Sequence, residues 1–382
     1  MAGSLPTAVE LTRRLIRFNT INPPGAEEAA AHHLGELLAA GGFAVSYHEF
    51  APQRTSLIAR RAGSDEAGAP LCFTGHLDTV PLGAAPWSVD PFAGEIADGK
   101  LFGRGASDTK SGVAAFVAAA LQAGKEAARG PGLVLAITAG EETGCQGAFH
   151  LAQSAAGLLG PAGLLVVAEP TSNYPLLGHK GALWLRALSR GVTAHGSMPE
   201  RGVNAVYKMA RILAKLESWR FPETPHPVMG RSTLNVGTVA GGMNINSVPD
   251  RAEITIDIRT IAGSDHARLR ALLTAQLAPE LDELETVLDL GSVWTDPGRG
   301  ASSEIFAALE PLLKERLEPR AAPYFTDAAA LHLALGGVPT VILGPGEPDL
   351  AHQTGEFCRV AKIEQAVELY RALIRRAGAL QG

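Results

Sequence analysis

The chain has 382 residues, 33 of them basic and 39 acidic, for a formal net charge of −6; 46% are hydrophobic and 19% charged. That describes a folded globular chain with room for two or three domains and excludes a disordered one. A mildly acidic chain with no basic run is a poor partner for nucleic acid, and the longest apolar stretch, Gly112–Leu121, is about half a bilayer span, so no membrane partner is expected.

From the N-terminus, Met1–Arg17 carries no apolar core of a secretory leader. Three scattered cysteines, Cys72, Cys145 and Cys358, form no paired motif, so the expectation is a cytoplasmic protein with reduced thiols. Leu5, Ala8, Val9, Leu15 and Ile16 recur at helical spacing, as do Ala30, Leu34, Leu37 and Leu38, and Gly41-Gly42 ends the second helix. Strand-length apolar runs follow at Phe43–Tyr47, Leu71–Thr74, Leu133–Thr138 and Leu164–Ala168. Helical stretches at Thr109–Ala123 and Gly147–Ala156 separate the later runs, the alternation of an α/β domain with parallel strands.

The middle of the chain reads as strand 182–188, a helix over 203–216, strands 233–239 and 253–259, a helix over 265–277 and strand 285–290. That order is a split-βαβ unit. Beyond Gly291 the α/β style returns, with helices near 302–316, 328–335 and 363–375 and a strand at 338–343. The expected fold is α/β: a domain of residues 1–177 and 291–382 with a mostly parallel central sheet flanked by helices, interrupted by a smaller α+β, ferredoxin-like domain of residues 178–290.

The acids and histidines fall where chemistry is expected in such a sheet, just beyond the carboxyl ends of strands. His76 and Asp78 follow the run at Leu71, Glu141-Glu142 follow the run at Leu133, and Glu169 follows the run at Leu164. His352 comes after the strand at Val338, and Asp108 directly precedes the helix near Thr109. Two imidazoles with several carboxylates and no thiolate suit zinc, cobalt or manganese. His76 with an acid two residues on is the pattern of a ligand steadied through its other ring nitrogen. Adjacent acids can divide between metal binding and general-base work. The false leads fail: Thr109 stands where a phosphate loop needs glycine, Asp108 where a dinucleotide fingerprint does, and neither G-x-S-x-G nor H-E-x-x-H is present.

Five strings together carry a resemblance: HLDTVP (His76–Pro81), GRGASDTKSG (Gly103–Gly112), GEETG (Gly140–Gly144), EPT (Glu169–Thr171) and AHGSMPERGVNAV (Ala194–Val206). In this order they resemble the dinuclear-zinc amidohydrolase and peptidase family of acetylornithine deacetylase, succinyl-diaminopimelate desuccinylase, aminoacylase and glutamate carboxypeptidase. The resemblance implies two divalent metal ions, zinc before cobalt or manganese. His76 and Glu169 would hold one, Glu142 and His352 the other, and Asp108 would bridge them. It further implies that Asp78 orients His76, that Glu141 is the general base, and that His195 steadies the oxyanion in the partner subunit's site. Asn246 and Arg259 would bind the substrate carboxylate, and the Asp108–Thr109 peptide would be cis.

On this resemblance residues 1–177 and 291–382 form the zinc-binding catalytic domain and 178–290 a lid and dimerisation domain of a homodimer. The substrate would be a small N-acyl amino acid or dipeptide, with acetylornithine deacetylase the first specific reading, from EPTS, HKG and AHQ (Glu169–Ser172, His179–Gly181, Ala351–Gln353). Succinyl-diaminopimelate desuccinylase is the second, and a carboxypeptidase or dipeptidase on the same scaffold the third. The chain departs from the family at Thr109, where an apolar residue is usual, at Ser111, where glycine is, and at Gly355-Glu356, where an Asp-Glu pair is. None of these removes an implied ligand.

Overall fold

The computed structural model describes residues 5–64, 68–298 and 300–377, without the side chains of 125–129. These form two compact units: one comprises residues up to Gly178, Val293–Ala322 and the chain from Thr326 on, and the other His179–Ser292 with Pro323–Phe325.

In the first unit a six-stranded sheet has the order Ala44–Ala51, Arg54–Ala62, Gly132–Thr138, Leu71–His76, Leu164–Val167, Thr340–Ile342. The last four are mutually parallel, and every residue in them is buried. Strands covered on both faces need continuous apolar runs, which is how these read in sequence. Helices Lys110–Arg129 and Val360–Arg376 supply part of the cover. Phe73 packs between Phe116 (ring centroids 5.7 Å apart) and Tyr370 (5.3 Å, edge-on), aromatic geometry that adds to their burial. Gly112 lets the first of these helices press onto the sheet, since a Cβ there would lie 2.2 Å from the carbonyl oxygen of Ala168.

The strand Arg54–Ala62 is absent from the sequence expectation, and it makes the first two strands an antiparallel hairpin rather than part of a parallel run. Its pattern is masked by Arg60 and Arg61 at one end and Arg54 at the other. Arg54 is a buried residue: its Nε donates to both oxygens of Glu27 (2.8 and 3.1 Å), and a further guanidinium nitrogen donates to the carbonyl of Pro24 (3.1 Å).

The second unit is a four-stranded antiparallel sheet ordered Thr233–Gly241, Arg251–Thr260, Gly181–Arg190, Glu283–Leu290, with helices Ala205–Glu217 and His266–Leu277. This is the ferredoxin-like strand order. Ile254, Ile256 and Ile258 alternate into a core with Leu183, Leu185, Met209, Ile212 and Leu273, as a strand with one buried face requires. Asn204 and Asp265 cap the two helices by accepting from the backbone of Tyr207 (3.1 Å) and Arg268 (2.9 Å).

Arg54→Met leaves the Glu27 carboxylate buried without its partner, which costs about 3–5 kcal/mol; the midpoint of urea unfolding measures it and falls accordingly.

Candidate metal centre

His76 is the last residue of the strand Leu71–His76. Glu169 lies two residues beyond Leu164–Val167, and Glu141 and Glu142 lie three and four beyond Gly132–Thr138. His352 follows Thr340–Ile342 in a left-handed backbone conformation (φ 63°), and Asp108 ends the turn before Lys110–Arg129 through a cis Asp108–Thr109 peptide. The strand order places the carboxyl ends of these four strands side by side, and their side chains converge there.

Among the described residues two donor groups form, His76 with Asp108 and Glu169, and Asp108 with Glu142 and His352, each with its ligand atoms within 4.8 Å of one another. Asp108 belongs to both. Its Oδ1 lies 3.2 Å from His76 Nε2, and its Oδ2 lies 3.3 Å from His352 Nε2. His352 Nε2 also lies 3.0 Å from Glu142, and His76 Nε2 lies 3.7 Å from Glu169.

The acids divide by how their oxygens are used. Asp78 and Glu356 are engaged at both oxygens. Asp78 Oδ1 accepts the backbone N–H of Glu141 (3.0 Å), and its Oδ2 that of Glu142 (3.1 Å). The Nδ1 of His76 is closer to the backbone carbonyl of Asp78 (3.0 Å) than to its carboxylate (3.4 Å). Asp78 therefore steadies the ring mainly through its main chain, while its side chain anchors the paired glutamates.

Glu356, which the sequence reading met only as half of an altered pair, cradles the loop that presents Asp108. It accepts the backbone N–H groups of Gly105 (3.0 Å), Ser107 (2.7 Å) and Asp108 (3.0 Å), and the buried guanidinium of Arg104 (2.7 Å). Burial pushes its carboxyl up to about 7 even against these donors. Thr109, another departure, donates its hydroxyl to the carbonyl of Ala168, one residue before Glu169, tying two ligand segments together. A further buried acid, Asp327, accepts from the Thr138 hydroxyl, and burial raises it to about 6. Nothing in its local sequence marks it, because Thr138 and Asp327 are 189 positions apart.

Glu142, Glu169 and Asp327 are less fully used: one buried oxygen of each, Oε1 of the two glutamates and Oδ1 of Asp327, has no hydrogen-bond partner. Buried oxygens left bare beside two imidazoles, in a pocket of several acids, fit divalent cations, which would neutralise charge that is costly to bury alone. The proton affinities tell the same story. Burial raises Glu141 and Glu169 well above the ordinary carboxylate range, and neighbouring acids add to it against the opposing pull of His76. Burial would raise Asp108 too, but hydrogen bonds from His352 and His76 hold it below that range. His352, bonded to Asp108 and Glu142, is raised to about 10.

His195, Asn246 and Arg259 lie in the second unit. The backbone N–H of Gly196 donates to the carbonyl of Asn246 (2.7 Å), so the His195 and Asn246 loops run together. His195 Nδ1 is turned to Ser197, lying 2.7 Å from its hydroxyl and 3.2 Å from its backbone nitrogen. Arg259 is half-buried between the rings of Trp184 and Phe325, with Nε 2.9 Å from Asp257 Oδ1 and a second nitrogen 3.1 Å from Oδ2. Much of its hydrogen-bonding edge is thus held by its own strand.

Residues 72–376 match the family described as peptidase family M20/M25/M40. The chain is 32% identical to an acetylornithine deacetylase of Proteus mirabilis, over 97% of this chain and 96% of that one. It is also 32% identical to a succinyl-diaminopimelate desuccinylase of Cereibacter sphaeroides, over 96% and 98%. Among solved structures it is similar to an M20 family metallo-carboxypeptidase from Sulfolobus solfataricus (TM-score 0.79, 17% identity, 98% and 99% covered). It is likewise similar to an aminopeptidase from Bacillus cereus (TM-score 0.78, 20% identity, 98% and 99% covered).

Calorimetric titration of metal-stripped protein with Zn2+ checks the sharing directly. Wild type takes up two ions, His352→Ala retains one binding event, and Asp108→Ala, which removes a donor from both groups, weakens both.

Proposed function

The chain belongs to peptidase family M20/M25/M40 and is a metal-dependent hydrolase of that family; we propose that it uses two zinc ions to hydrolyse the amide bond of an N-acyl amino acid, N-acetylornithine before others. The observation that carries this reading is Asp108, common to two donor groups, with Glu141 buried beside them and belonging to neither. His76 and Glu169 would hold one ion, Glu142 and His352 the other, with Asp108 between. Bound there, the ions would supply Lewis-acid polarisation of an acyl carbonyl and acidify a water toward neutrality.

The remaining work falls to side chains. Glu141, whose proton affinity burial raises, is the general base: it takes the proton of the attacking water and returns it to the departing amine. Asp78 fixes where that carboxylate starts, because its Oδ1 holds the Glu141 backbone. With Nδ1 turned to Ser197, His195 would offer Nε2 as the donor an oxyanion needs, and such a donor contributes about 3–4 kcal/mol. Asn246 and the edge of Arg259 not taken up by Asp257 would receive the substrate carboxylate.

Relatives of both names match at 32% identity over nearly the whole chain, which supports an N-acyl amino acid and makes succinyl-diaminopimelate the second candidate. A dipeptide is the third, from the likeness to an M20 carboxypeptidase.

We further propose that residues 1–177 and 291–382 are the catalytic domain and 178–290 the lid and dimerisation domain of a homodimer. Supporting this, Tyr207, Val239, Met243 and Ile245 are exposed apolar side chains of the second unit, and Thr233–Gly241 is an edge strand. A sedimentation mass of one chain would count against it. Three buried free thiols and no described helix long and apolar enough to cross a membrane support a cytoplasmic location, which cell fractionation would check.

A panel of N-acetylornithine, N-succinyl-diaminopimelate and dipeptides, assayed with zinc restored, reads the reaction. The proposal expects the acetyl substrate to give the highest kcat/KM, and Glu141→Gln to lower kcat by about 10²–10⁴-fold with zinc uptake unchanged. A Glu141→Gln enzyme at full turnover, or hydrolysis of no panel member, would contradict it.

A further inference from the structure

Asn22 lies upstream of the matched residues 72–376 and in none of the strand-end motifs. Its residue is 3% exposed, and its side-chain nitrogen donates to Asp78 Oδ2 (2.9 Å) and to Thr143 Oγ1 (3.0 Å). A carboxylate can only accept, so the amide orientation is set by chemistry. The Thr143 hydroxyl, used as an acceptor by Asn22, passes its own hydrogen on to Gln146 Oε1 (3.2 Å). The main chain around Asn22 is held to the segment after the strand Leu71–His76. Asn22 N–H donates to Thr79 O (2.8 Å), Thr79 N–H to Thr20 O (3.0 Å), and the Thr20 hydroxyl to Leu77 O (2.6 Å).

The two oxygens of Asp78 have different duties, one holding the backbone of Glu141 and the other that of Glu142. The two oxygens are equivalent and the terminal torsion of an aspartate is broad, so what has to be held is the tilt of the carboxylate that meets both N–H groups. The amide of Asn22 adds a third donor to that carboxylate and narrows its tilt. Its second hydrogen reaches the residue after Glu142, so one NH2 group spans the acid and the glutamate loop.

We propose that Asn22 is a positioning residue that locks the Asp78 carboxylate and, through it, the main chain of Glu141-Glu142. Truncating it loosens the proton carrier and the Glu142–His352 donor group together. The inference rests on the roles proposed above for Glu141 and Glu142.

The test compares Asn22→Ala with Thr20→Val, a control in the same segment that loses a buried hydrogen bond without touching Asp78. Melting temperature, kcat and KM on the N-acyl amino acid turned over by wild type, and Zn2+ titration of stripped protein are measured for each. Asn22→Ala is expected to lower kcat and the affinity of one of the two Zn2+ events by about ten-fold or more, with KM changed less than about two-fold. Thr20→Val, at a comparable loss of melting temperature, keeps kcat and both Zn2+ events. Should the alanine variant fail to fold, Asn22→Asp, of the same shape but with an acceptor in place of the donor, is expected to show the same losses.

A folded Asn22 variant with wild-type kcat and Zn2+ binding, or one falling no further than Thr20→Val, overturns the inference alone. A wild type that neither binds Zn2+ nor hydrolyses any panel member overturns the functional reading and the inference with it.

Discussion

Asp108 presents one carboxylate oxygen to His76 and the other to His352 at the mouth of a parallel sheet, inside a pocket that also buries Asp78, Glu141, Glu169 and Asp327. Water cannot relieve charge gathered this way, and two imidazoles do not balance it. An acid buried without a counter-charge either takes up a proton or finds a cation. The first tendency is visible in the raised proton affinities of Glu141 and Glu169. The second matches the bare oxygens of Glu142 and Glu169.

The rest of the first unit holds that pocket in shape. Continuous apolar strands bury the sheet on both faces and set four strand ends side by side. Two acids then spend themselves on the backbone. Glu356 collects three N–H groups and a guanidinium to fix the Asp108 loop, and Asp78 collects the N–H groups of Glu141 and Glu142. Asp78 and Glu356 thereby build the site, whereas Glu142 and Glu169, which belong to the donor groups themselves, each keep a bare buried oxygen, as does Asp327 beside Thr138.

Much of this was legible in the sequence because it is local. The apolar runs at Leu71, Leu133 and Leu164 each lead within a few residues to an acid or imidazole, and a strand buried on both faces leaves only its end for polar groups. The inserted unit was legible for the same reason, since Ile254, Ile256 and Ile258 alternate with Thr255, Asp257 and Arg259. The rest depends on partners far away along the chain. Glu356 meets Gly105 across 251 positions, Asn22 meets Asp78 across 56, and no spacing rule links them. The strand Arg54–Ala62 was hidden by its arginines, one of which is buried against Glu27. For Arg259 the resemblance implies carboxylate binding, and its pairing with Asp257, two residues back on the same face, is seen only once the strand has formed.

The central claim is that Asp108 is common to two metal positions, and zinc-edge anomalous diffraction from crystals of the zinc-loaded protein addresses it most directly. The account predicts two peaks about 3.5–4 Å apart, one against His76 and Glu169, the other against Glu142 and His352, with Asp108 touching both. A single peak, or two peaks of which Asp108 touches only one, would contradict it.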